Sequence, residues 1–212
     1  MENYILMADI VHSSKLNSKL LLDNFKENLI LINKTFQKKL KTPLKISLGD
    51  EFQTVTKDLE TIFEIIFLLD SLLLESSINY KLRYVIFFGE IDTDFAEDEL
   101  MLGKGLSDAR KQLEENKKKI DRYFIDLGNS KPKIDQQKLL NQCLLIYQNY
   151  YDNWKEKDKN IVLELLKNED YKTVADIIKL DKSSVWRRKK SLNIREFSAM
   201  KEIILKLSTY VN

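Results

Sequence analysis

The sequence predicts a mixed α/β unit of the α+β kind, followed by a small all-α unit. Three observations predict it. Apolar, β-branched runs alternate with helical stripes in the order β-α-β-β-α-β-α-β through Leu127. A tight turn at Gly49-Asp50 joins two short strand-like runs in the middle of that order, where Gly49 permits a backbone that other residues resist. From Lys155 onward the pattern becomes wholly helical and basic. The expected units are an α/β domain over 1–130, a connecting helix over 131–157 and a helical domain over 158–212, with helices covering one face of the sheet.

The 212 residues suffice for such a pair of units, and 43% apolar content with five Gly and two Pro describes a compact, helix-rich chain. The net charge of +2 is uninformative, but its distribution is not. Residues from Lys155 onward contain 14 basic and 9 acidic side chains, a net of +5, whereas the preceding residues carry a net of −3. An acidic front and a basic tail predict that the tail meets a polyanion. The single cysteine, Cys143, excludes an internal disulfide and a cysteine-rich metal site, and its apolar surroundings predict a packed thiol. No basic-then-apolar leader pattern opens the chain. The greasiest stretch, Ile62 to Leu74, is interrupted by Glu64 and Asp70 and is too short to span a bilayer. A cytoplasmic protein without a membrane partner is expected.

The first strand is the apolar run Asn3 to Val11, with Asp9 near its end. A long amphipathic helix follows from about Ser18 to Leu40, with the stripe Leu22, Phe25, Leu29, Ile32, Phe36 and Leu40, stopped by Thr42-Pro43. The hairpin spans Leu44 to Gln53. A helix from about Asp58 to Glu75 is apolar around most of its circumference, which predicts deep burial. The strand Tyr80 to Phe88, a helix from Gly103 to about Lys118 and the strand Tyr123 to Leu127 complete the unit. A helix from about Asp135 to Trp154 leads into the tail. There, helices are expected over Lys159–Lys167, Thr173–Lys179, Ser183–Leu192 and Arg195 to about Leu207, with Asp181 or Ser183 as an N-cap.

Asp9 and Asp50 each sit at the end of an apolar strand. Two strand-borne carboxylates brought together would repel unless a cation lies between them, and oxygen-only ligands favour Mg²⁺ or Mn²⁺. Glu51 either adds a third ligand or points to the other sheet face, because neighbouring strand residues alternate. The strand and helix order matches a ferredoxin-like palm sheet. In the tail, Ala175 and Val185 are small and apolar where two crossing helices would touch, which is the helix-turn-helix pattern. Lys182, Ser183, Ser184, Arg187, Arg188, Lys189 and Lys190 are then candidates to contact DNA.

Taken together, Ala8-Asp9-Ile10-Val11, the turn Leu48-Gly49-Asp50-Glu51-Phe52-Gln53 and the C-terminal helix pair resemble the SatD-like bacterial proteins over essentially the whole chain. From Asn3 to Leu127 the chain also resembles the catalytic core of class III nucleotide cyclases and, more distantly, GGDEF-type diguanylate cyclases. The resemblance implies a palm nucleotide-cyclase-type sheet, with Asp9, Asp50 and the Ile10 carbonyl holding metal. It further implies that Val11, His12, Ser13 and Ser14 cradle a triphosphate at a helix N-terminus. Lys15, Glu51, Lys104 and Lys111 are candidate supports for that phosphate site. Lys111 falls where cyclases carry an arginine, and lysine lacks the planar fork of arginine. His12-Ser13-Ser14 also departs from the Gly-Ser-Arg of SatD-like proteins, and Ile46 stands where cyclases carry a base-reading lysine. The expected function is a homodimeric DNA-binding regulator whose cyclase-like domain takes a nucleoside triphosphate or other nucleotide effector. Metal-dependent nucleotidyl transfer and a non-catalytic interaction role are the alternatives.

Overall fold

The computed structural model of the protein describes residues 2–13, 18–91 and 103–210. Strand β1 (Glu2–Ile10) is followed by α1 (Ser18–Phe36), β2 (Leu40–Leu48), β3 (Glu51–Thr56), α2 (Leu59–Glu75), β4 (Leu82–Glu90), α3 (Lys104–Asn116) and β5 (Tyr123–Asp126). Helices α4 (Lys131–Asn153), α5 (Lys159–Lys167), α6 (Tyr171–Ile178), α7 (Lys182–Ser191) and α8 (Ile194–Ser208) complete the described chain. The five strands form one sheet in the order β2-β3-β1-β4-β5, antiparallel except for the β4–β5 pair. The fold is therefore α+β.

β1 is central, and burial on both of its faces explains its continuous apolar run. Tyr4, Leu6, Ala8 and Ile10 meet the apolar stripes of α1 and α2. Ile5 and Met7 face the other way and pack with Val55, Val85 and the Leu106, Ala109 and Leu113 stripe of α3. Helices thus cover both sheet faces rather than the one expected, because β1 exposes apolar side chains in both directions. Close approach of α3 to β4 depends on glycine: a Cβ on Gly105 would lie 2.6 Å from the Glu90 carbonyl oxygen.

The first helix ends earlier than its periodicity suggests. It stops at Phe36, and Leu40 opens strand β2, which therefore contains Thr42-Pro43. β2 is an edge strand, and its register shifts between Thr42 and Lys45, so the missing Pro43 N–H breaks no regular ladder. Asn33 of α1 instead clamps the Leu44 backbone, accepting from its N–H at 2.7 Å and donating to its carbonyl at 3.0 Å. The hairpin forms as read, with Gly49 at φ +52° in the turn.

The tail helices run close to their expected bounds, but they do not stand apart. Leu140, Leu144, Tyr147 and Tyr151 of α4 share one apolar core with α2 and with Val162, Leu165, Phe197 and Ile204 of the tail. Within that core lies Asp70 of α2, 1% exposed. Its carboxylate accepts from the hydroxyls of Tyr84 (3.0 Å), Tyr123 (2.7 Å) and Tyr147 (3.0 Å), and the Tyr151 hydroxyl donates to its backbone carbonyl at 3.0 Å. Cys143 packs against the same core from a partly exposed position, and burial raises its thiol pKa.

Candidate functional site

Antiparallel pairing determines the first site. Asp9 stands directly opposite Glu51 on β3 and opposite Arg83 on β4, so the three side chains form a charged row across three strands. The row lies on the α3 face and is almost fully buried, with Asp9 2%, Glu51 7% and Arg83 6% exposed. Arg83 Nη1 donates to both Asp9 oxygens at 2.9 and 3.1 Å. Lys117, just past the end of α3, lies 3.2 Å from Glu51 and 3.8 Å from Asp9, and also pairs with Glu114. Glu51 therefore shares the face of Asp9. Asp50 occupies the adjoining turn, half-buried.

Burial raises the Asp9 pKa to about 6, against the opposing pull of Arg83 and Lys117, while Asp50 and Glu51 push it further up. For Lys117, burial acts downward, but hydrogen bonds to Glu114 and Glu51 leave its pKa raised. On the same face, Arg110 Nη2 lies 3.4 Å from Gln53 Oε1. The Nε–H groups of Arg83 and Arg110 are buried without a hydrogen-bond partner.

As arranged, the carboxylates of the row are paired with protein cations. Both Asp9 oxygens are taken by a guanidinium, and Lys117 supplies a second internal cation. Among the described residues, no three acidic, histidine or cysteine side chains are grouped to hold an ion. Ile10 turns its side chain into the opposite core, and the Val11 N–H donates to the Lys81 carbonyl at 2.9 Å, which withdraws it from a phosphate cradle. His12 is exposed with φ +59°, and Ser13 is half-buried. Ser14 and Lys15 lie outside the described residues.

Two lysines fall away from the row. Lys104 opens α3 while Lys117 follows its last turn, so about 20 Å of helix separates them at 1.5 Å per residue. Gly105 packs beside Gly89 and Glu90, at the opposite end of β4 from Arg83. Gly105 thus serves the packing of α3, and Gly103 takes the positive-φ position that opens it. Lys111 is exposed and off the sheet-facing stripe, whereas its neighbour Arg110 reaches Gln53. Sequence reading missed Arg83, Arg110 and Lys117. A charge inside the apolar run Leu82 to Phe88 was the available signal for Arg83.

The second site is α7. Asp170 caps α6, and Lys179 takes the left-handed position that ends it, with φ +56°. Asp181 caps α7, accepting from the Ser184 N–H at 3.0 Å and the Ser183 hydroxyl at 2.6 Å. Val185, fully buried, anchors α7 against Val174 and Ala175 of α6. Lys182, Ser183, Trp186, Arg187 and Lys190 remain exposed, and 183, 186, 187 and 190 share one helix face. The Lys190 amine lies 4.0 Å from the Trp186 ring centroid, and Arg187 Nη2 reaches the Ser183 and Ser184 hydroxyls at 3.5 and 3.4 Å. Arg188 pairs with Asp158 and Lys189 donates to the Glu169 carbonyl, and both side chains remain partly exposed. No described helix is long and apolar enough to cross a membrane.

These features define an α+β protein with a buried charged row at one end of its sheet and an exposed basic helix near its C-terminus. The sequence model of the SatD family matches residues 4–207, and the chain belongs to that family. No curated protein matches the chain.

Proposed function

We propose that the protein is a DNA-binding regulator, with α6 and α7 acting as a helix-turn-helix and α7 entering the major groove. The observation that carries this reading is the outward face of α7, where Lys182, Ser183, Arg187 and Lys190 stand exposed on a helix fixed by Val185 and Asp181. Arg187 and Ser183 offer donors to base edges, and Lys182 and Lys190 offer charge to phosphates. Arg188 and Lys189 also tie α7 to Asp158 and Glu169 while remaining partly exposed. Titration of the protein with duplex DNA across a salt series tests the reading, because phosphate contacts release counterions and lose affinity as salt rises.

A second reading, a nucleotide effector on a palm-type sheet, is supported by the two buried guanidinium N–H groups left over on the face where Asp9 pairs with Glu51, beside the turn that carries Asp50. The β1-α1-β2-β3-α2-β4 order, with strands arranged 2-3-1-4, fits that sheet. In this arrangement Arg83, Arg110 and Lys117 are the phosphate-binding candidates. Mg²⁺ or Mn²⁺ would join only by displacing Arg83 from Asp9. Equilibrium binding of each nucleoside triphosphate, with and without Mn²⁺, tests this, and pyrophosphate release in the same samples tests nucleotidyl transfer.

A further inference from the structure

A cleft of about 470 Å³ lies where α2, α5 and α8 meet, at the junction between the sheet unit and the tail helices. Its size suits a small organic molecule. Leu163 and Leu166 of α5 and Leu205 of α8 provide apolar wall, and Lys201 of α8 lines the same space. The Lys201 amine stands over the Phe67 ring at 5.1 Å, and no described carboxylate pairs with it at salt-bridge distance. Burial lowers its pKa, with the Asp70 charge acting in the opposite direction. Asp70 already accepts from three tyrosine hydroxyls and makes no salt bridge to Lys201. The other lysine of the cleft, Lys167, is neutralised by Glu75 at 2.8 Å. A partly buried ammonium that meets an aromatic face rather than a carboxylate, set in a leucine-lined cleft, can take an anionic group.

We propose that this cleft binds a small amphiphilic monocarboxylate, with its carboxylate on Lys201 and its apolar body along Leu163, Leu166 and Leu205. Glu75 and Glu202 also line the cleft, which disfavours a polyanion such as a nucleotide triphosphate. An occupant would touch α2 of the sheet unit and both α5 and α8 of the tail at once. The inference is independent of the DNA reading and of the charged row at Asp9.

Calorimetric titration of the full chain with octanoate, octanol and octylamine tests it. Saturable octanoate binding is expected, with octylamine failing to bind and octanol binding more weakly. Lys201→Gln should weaken octanoate by about tenfold or more, because one charged hydrogen bond is lost. Leu163→Trp, which keeps the charge but fills the cleft, should do the same. No saturable octanoate binding at concentrations on the order of 10 mM would overturn the proposal. So would equal binding of octylamine, or a folded Lys201→Gln protein with unchanged affinity. Should Lys201→Gln fail to fold, ligand selectivity of the native chain and the Leu163→Trp variant decide the matter.

Discussion

One nitrogen of Arg83 donates to both carboxylate oxygens of Asp9, at 2.9 and 3.1 Å, across the β1–β4 pairing. Both residues are almost fully buried, so Arg83 relies on Asp9, and Asp9 on Arg83 first and Lys117 second, in a place where water cannot substitute. Arg83→Met should therefore destabilise the fold by about 3 kcal/mol, the usual cost of stranding a buried charge. The double variant Asp9→Asn/Arg83→Met should recover much of that loss. Denaturant unfolding of the two singles and the double provides the cycle; strictly additive effects would contradict the coupling.

The acid pKa of Asp9 gives a second, sign-specific expectation. Its folded value of about 6 exceeds the ordinary 3.8. The folded chain then holds this proton where the unfolded chain has released it, so the Asp9 contribution to stability is greatest at low pH and declines as pH rises from about 4 to about 6. Relative to Asp9→Asn, the native chain should lose about 1–3 kcal/mol across that window, as a shift of this order implies. A relative gain over the same window would mean that the pull of Arg83 outweighs burial.

Asp70 joins α2 to β4, β5 and α4 through three tyrosine hydroxyls. Tyr123→Phe and Tyr147→Phe should each cost about 1–2 kcal/mol, since each removes a hydrogen bond to a buried acceptor. Because α4 and the tail share this core, heat or denaturant should unfold the chain in one transition. Two separated transitions would show that the tail helices form an independent unit.

Gly105→Ala should destabilise by about 1–3 kcal/mol, because its Cβ would meet the Glu90 carbonyl at 2.6 Å and push α3 off the sheet. Comparison with Gly49→Ala is informative. There the cost comes from the positive φ alone, since nothing lies within 4 Å of the added Cβ. A Gly105→Ala protein as stable as the native chain would contradict the close packing.

Local chemistry made much of the fold legible. The Gly49-Asp50 turn, the apolar α2 and the Asp181 cap are each written in a few neighbouring residues, and the helices from Lys159 onward follow from periodicity. The candidate site was legible only in part. Asp9 and the hairpin acids could be named, but their partners Arg83 and Lys117 are set by strand register and by the end of α3, and neither is local. In a run of three lysines, nothing in the sequence marks Lys117 rather than Lys118 or Lys119 as the one that turns inward. The close of α1 is not legible locally, because Leu40 continues a helical spacing while the Asn33 clamp on Leu44 favours an edge strand.

The most direct test of the functional account is fluorescence anisotropy of a labelled DNA duplex titrated with the native chain, Arg187→Ala and Lys190→Ala. The account predicts binding that weakens steeply between about 50 and 200 mM salt, with both variants at least about fivefold weaker and their stability unchanged. Salt-independent binding, no binding, or variants that bind like the native chain would contradict it.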